Sequence, residues 1–119
     1  MSFPTPLFDQ KINQQRQQNE RDRQQLLQQA LDWLTHHAAR FEIQQGYVFG
    51  SVTQPGKFRA DSDIDVAIAS INEGDPFGLI GYLSLELNRD VDIVPLDQCH
   101  FADKIRRTGI LWIANKSPD

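Results

Sequence analysis

At 119 residues, 39% of them hydrophobic, the chain is long enough for one domain with a real core and too short for a catalytic domain plus a separate acceptor-binding domain. Its formal charge of −4 and pI near 5.2 argue against nucleic acid as a main partner, because polyanion binding rests on a basic patch. A lone cysteine, Cys99, excludes an internal disulfide; there is no signal-like N-terminus and no apolar run near the roughly 20 residues that span a bilayer, so a cytoplasmic protein without a membrane partner is expected.

Residues 1–12 place Phe3, Leu7, Phe8 and Ile12 among prolines at 4 and 6, which predicts an irregular arm. From Asn13 to Gln25 almost every residue is polar. These are good helix formers without an apolar face, so a solvated helical extension that frays or projects is expected. Leu27, Ala30, Leu31, Leu34, Ala38 and Phe41 then recur at spacings of three and four, the signature of a helix packed on a core near residues 20–41. The chain thus divides into a polar Gln-rich extension over 1–25 and a compact domain over 26–119.

Tyr47, Val48 and Phe49 predict a strand that Gly50-Ser51 breaks, leaving bare backbone that a ligand can approach. A loop over 52–62 follows, marked by Pro55-Gly56 and carrying Lys57 and Arg59. Residues 63–69 alternate: Asp63, Asp65, Ala67 and Ala69 share one face of a strand, and Ile64, Val66 and Ile68 share the other. The two carboxylates lie about 7 Å apart along it, from where both can converge on divalent cations. Like charges on a half-buried strand repel unless a cation neutralises them, and hard oxygen ligands suit magnesium or manganese.

Asp75 can cap a helix with Pro76 in its first turn, running to about Asn88 with Leu79, Ile80, Leu83 and Leu87 buried. A third strand over 91–96 turns Asp92 away from the face that takes Val91 and Ile93. Phe101–Thr108 reads as a short helix, Gly109 as its left-handed C-terminal residue, and 110–114 as a last strand. The first two strands are joined without a helix, so they are expected to be antiparallel in a small single-domain α/β fold, a mixed sheet flanked by helices. Asp61 and Asp90 read as loop and turn acids, and Lys104, Arg106 and Arg107 as a solvated helix face. Adjacent His36 and His37 point about 100° apart and do not chelate one ion, while Cys99-His100 lacks the remaining ligands of a zinc site.

Gly50-Ser51, Asp63-Ile64-Asp65 and Asp92, in that order, resemble the nucleotidyltransferase superfamily of DNA polymerase β, and in particular its minimal nucleotidyltransferases, which are often paired with HEPN-domain proteins in toxin–antitoxin modules. Phe49, the Ser62-to-Val66 string and the tail from Lys104 to Trp112 are similar to the family as well. The loop of eleven residues between Ser51 and Asp63 is one longer than the family pattern, and Val52-Thr53 stand where many relatives carry an arginine. The resemblance implies a nucleotidyltransferase fold that binds ATP or another nucleoside triphosphate with two magnesium ions, or manganese, held by Asp63, Asp65 and Asp92. Asp92 would also help to deprotonate the acceptor, Gly50 and Ser51 would cradle phosphates, and Lys57 or Arg59 would neutralise them. It implies an antitoxin that transfers AMP to a hydroxyl of a HEPN partner, or else a binding module that neutralises such a partner without transfer. The Gln-rich extension leaves a partner or homo-oligomer surface open.

Overall fold

In a computed structural model, residues 6–70, 72 and 74–115 are described, and Phe3 of the expected arm lies outside them. Helix α1 (Pro6–His37) is followed by a 3-10 turn (Ala38–Phe41), and the rest of the chain builds a four-stranded sheet. Leu7, Phe8 and Ile12, expected in an irregular arm, instead lie in the first turns of α1. Once the packed C-terminal half of this helix has formed, each further residue adds a hydrogen bond without a new nucleation cost. The polar residues add side-chain bonds one turn apart, Gln15 to Asn19 and Gln18 to Asp22, each 2.8 Å. The N-terminal part of α1 projects, as the lack of an apolar face predicts, and the molecule measures 65 × 31 × 19 Å.

Strand β1 (Gln45–Phe49) lies between β2 (Ile64–Ile68) and β4 (Ile110–Ile113), antiparallel to both, and β3 (Val91–Pro95) adds to β2 in parallel. The mixed sheet and the antiparallel first pair are as expected. Helix α2 (Pro76–Leu87) makes the crossover between the parallel strands. It starts where Asp75 accepts a hydrogen bond from Gly78 N at 3.0 Å and stops at Asn88, which is left-handed at φ 50°.

Two layers of helix sandwich the sheet. Ala30 and Leu34 of α1 and Leu79, Leu83 and Leu87 of α2 pack on the face carrying Val48, Ile64, Val66, Ile68 and Val91. Ala102 and Ile105 of α3 (Ala102–Thr108) pack on the opposite face with Ala67, Leu96, Tyr47 and Phe49. Trp112 is buried in the larger core, and Trp33 packs against Phe41 at the rim.

Gly109 is not left-handed: its φ is −77° and its ψ 170°. What excludes a side chain there is space, since a Cβ would sit 2.7 Å from Ile105 O and 3.2 Å from Val48 O, where α3 turns back against β1. Among the described residues no helix is long and apolar enough to cross a membrane.

Candidate active site

Alternation along β2 sends Ile64, Val66 and Ile68 into the larger core and turns Asp65 to the other face. The parallel register sets Asp65 beside Asp92 of β3, and the antiparallel register sets it beside Phe49 at the end of β1. Asp63 immediately precedes β2 on the same side as Asp65. The two acids read from strand spacing and the third that the resemblance implies therefore meet at one end of the sheet, Asp65 half-buried, Asp63 and Asp92 exposed.

Desolvation and crowding of like charge raise the carboxyls of Asp65 and Asp63. Burial, then repulsion from Asp92 and Asp63, pushes Asp65 up to about 6. Asp63 is raised too, first by desolvation, then by the charges of Asp92 and Asp90, and by a hydrogen bond with Asp92. Asp63 is exposed, so the crowding is the more durable of these causes. Among the described residues no group of three or more acid, histidine or cysteine side chains is arranged to hold a metal ion in this structure. An open set of hard oxygen donors with an excess of negative charge is nonetheless what a hydrated magnesium or manganese ion fits, since such ions keep several waters.

The Gly50–Thr53 turn forms the wall beside these acids. Gly50 has φ +80°, and a Cβ on it would sit 2.2 Å from Asp65 Oδ2, so both conformation and space demand glycine. Thr53 Oγ1 donates to Gly50 O at 2.7 Å and Gln54 N to Ser51 O at 3.0 Å, which tightens the turn. From outside, Arg23 of α1 donates to Val52 O at 3.1 Å while its guanidinium is held by Glu20. That ion pair lowers the Glu20 carboxyl to about 2.

A sequence profile described as "Polymerase beta, Nucleotidyltransferase" matches residues 32–118. The chain belongs to this nucleotidyltransferase family. It is similar in structure to a chain of a toxin-antitoxin crystallised with AMP-PNP, at 25% identity over 82% of this chain and 75% of that one, with a TM-score of 0.49. It is also similar to a chain of the toxin-antitoxin MntA-HepT, at 23% identity over 83% and 73% of the two chains, with a TM-score of 0.43. No curated protein matches the sequence.

On this nucleotidyltransferase scaffold Lys57 and Arg59 are exposed on the loop before β2. The cation that acts on Asp63 is a different one, Arg89, in the turn between α2 and β3. Its Nη1 donates to Ser62 O at 2.8 Å, Ala60 O at 2.9 Å and Arg59 O at 3.4 Å, and the guanidinium lies 4.9 Å over the Phe58 ring. Asp90, read from the sequence as a turn acid, accepts from Ile64 N at 3.0 Å through its backbone carbonyl, and its side chain adds its charge to that of Asp63. Neither residue stands out in the sequence, because only the parallel pairing of β2 with β3 brings 89–90 beside 62–64. A cleft of about 400 Å³ between these two segments opens beside Asp63.

Proposed function

We propose that this nucleotidyltransferase moves a nucleotidyl group, AMP from ATP, to a hydroxyl of a partner protein, and that the partner is a HEPN-type toxin which it neutralises as an antitoxin. The observation that carries the transfer reading is the meeting of Asp63, Asp65 and Asp92 at one end of the sheet, beside a glycine turn with no room for a side chain. Magnesium ions bound by these three carboxylates would neutralise phosphate charge and favour ionisation of the attacking hydroxyl.

In the transfer, the acceptor oxygen forms a bond to the α-phosphorus, the bond from that phosphorus to the oxygen bridging to the β-phosphate breaks, and pyrophosphate leaves. The proton of the acceptor hydroxyl passes to the Asp92 carboxylate, exposed on the solvent side of the trio, and from there to water. Gly50 and Ser51 present turn backbone and a hydroxyl to the phosphates, and Lys57 or Arg59 supplies positive charge from the exposed loop. Two observations favour a protein acceptor. Asp63 and Asp92 face solvent, which leaves room for a large partner, and a chain of net charge −4 is a poor dock for a polynucleotide. The HEPN identity of the partner rests on the motif resemblance.

A cytosolic setting, where ATP and magnesium are at hand and Cys99 stays reduced, belongs to this proposal. So does a working unit over 26–119 with 1–25 as an extension, although the buried Arg23 ties residues 20–25 to the turn beside the acids. Intact-protein mass spectrometry of a HEPN-type protein that co-purifies with this chain, after incubation with ATP, magnesium and this protein, is the test. Added AMP mass on the partner is the expected result. Labelling of RNA or a small metabolite instead overturns the acceptor, and neutralisation of the partner without any transfer leaves a binding module.

A further inference from the structure

Three carbonyl oxygens of one turn, those of Arg59, Ala60 and Ser62, face a single guanidinium. They belong to the last turn before Asp63, a stretch outside helix and sheet in which residues 59–61 are exposed and Ser62 half-buried, and whose internal ties include Ser62 N to Arg59 O at 3.0 Å and Arg59 N to Ser62 Oγ at 2.9 Å. Such a stretch holds a metal-binding side chain in place poorly by itself. Arg89 is half-buried, sits on the ring of the buried Phe58, and is aimed by the left-handed Asn88 that ends α2. Its backbone is fixed by Arg89 N donating to Ser84 O at 3.2 Å, so the anchor belongs to the rigid α2–β3 corner.

We propose that Arg89 is a positioning residue for the acidic site: its guanidinium, stacked on Phe58 and bonded to the carbonyls of residues 59, 60 and 62, holds the turn that sets where the Asp63 carboxylate stands. This rests on the reading of Asp63, Asp65 and Asp92 as a divalent-cation site. It assigns to one arginine a role opposite to what charge alone gives it. A positive charge near a cation site weakens cation binding by repulsion, so removing it should tighten binding if charge were all that mattered. If the arginine positions the turn, removing it loosens Asp63 and weakens binding.

The sign of the change is therefore the test. Manganese binding, followed by electron paramagnetic resonance of the free ion, is measured on the full chain for wild type, Arg89→Met and Arg89→Lys. Hydrogen exchange of the peptide over residues 57–64 is measured on the same samples without metal. Arg89→Met should weaken manganese binding about tenfold, the lower range for loss of a group that supports a metal ligand. It should speed exchange in 57–64 while leaving β1 and α3 unchanged. Arg89→Lys keeps the charge but loses the flat stack on Phe58, and should fall between the two. Tighter binding by Arg89→Met, or wild-type binding and exchange by Arg89→Lys, overturns the proposal. Should Arg89→Met fail to fold, the lysine variant decides alone. Asp65→Asn separates this result from the site reading: wild-type manganese affinity there means the acids are not the site, whereas lost affinity there with normal Arg89→Lys removes only the role of Arg89.

Discussion

The two faces of the sheet do different work, and β2 shows it residue by residue. Ile64, Val66 and Ile68 look into a core sealed by α1 and α2 and are essentially inaccessible. One residue away, Asp65 looks to the face where α3 covers Tyr47, Phe49 and Ala67 but leaves the acid end open. The period of two in a strand thus keeps stability and chemistry on separate sides of one ribbon. A carboxylate cluster that repels itself can persist because the opposite side carries the packing. Breaking either face should have effects different in size and in sign.

The largest expected effect lies on the sealed face. Ile68→Ala removes a side chain with 1% exposure in a closely packed core and should cost about 2 to 5 kcal/mol of unfolding free energy. Against a typical domain stability of about 5 to 15 kcal/mol, that is a large fraction of the whole. Urea unfolding measures it. A loss below about 1 kcal/mol would mean that this face is not the one that holds the fold.

On the open face the sign reverses. Asp65→Asn should abolish magnesium-dependent transfer, yet stabilise the metal-free protein at neutral pH, because it removes a charge that the fold crowds against Asp63 and Asp92. Burial and those neighbours raise Asp65 from 3.8 to about 6, so its carboxyl holds a proton more tightly folded than unfolded. The associated stability is complete below about pH 4 and is lost as pH rises through about 6. After discounting for its half-exposed position, the effect is about 1 to 2 kcal/mol. Melting temperatures in EDTA at pH 5 and pH 7.5 test this: wild type should lose more on going to the higher pH than the asparagine variant, and magnesium should restore it. Equal pH dependence in the two proteins would show that Asp65 is not crowded.

Much of this division is legible in the sequence. The apolar spacing of α2, its Asp75-Pro76 start and the parity of Asp63, Asp65 and Ile64 are local patterns, and local patterns survive into the fold. What is not legible depends on contacts between distant segments. Arg89 and Asp90 become part of the acidic site through strand register, which no window around residue 89 contains. Gly109 is a glycine because Ile105 O and Val48 O crowd it, while its extended φ would suit any residue. The helical state of residues 6–12 comes from propagation along α1, against prolines that suggest irregular chain. The assignment of phosphate contacts to Lys57 or Arg59 rests on charge alone, and both side chains are exposed.

The smallest expected effect concerns the projecting end of α1. Residues 7–18 are all exposed, and Leu7 and Phe8 are 74% and 68% accessible, so their removal takes almost no buried area from either face of the sheet. Deleting residues 1–19 should therefore leave the melting temperature within a few degrees of wild type, with a change of about 0.5 kcal/mol or less. The cut must stop before Glu20, because the Glu20–Arg23 pair is what brings Arg23 Nη1 to Val52 O. A cut through residue 23 should cost more, since it leaves that carbonyl without its partner and loosens the Gly50–Thr53 turn beside Asp65. Thermal melts of the two truncations, run side by side at one protein concentration, read the difference. A collapse in the shorter deletion would mean that Leu7, Phe8 and Ile12 are covered in solution, and a melting temperature that then rises with concentration would identify a second copy of the chain as what covers them.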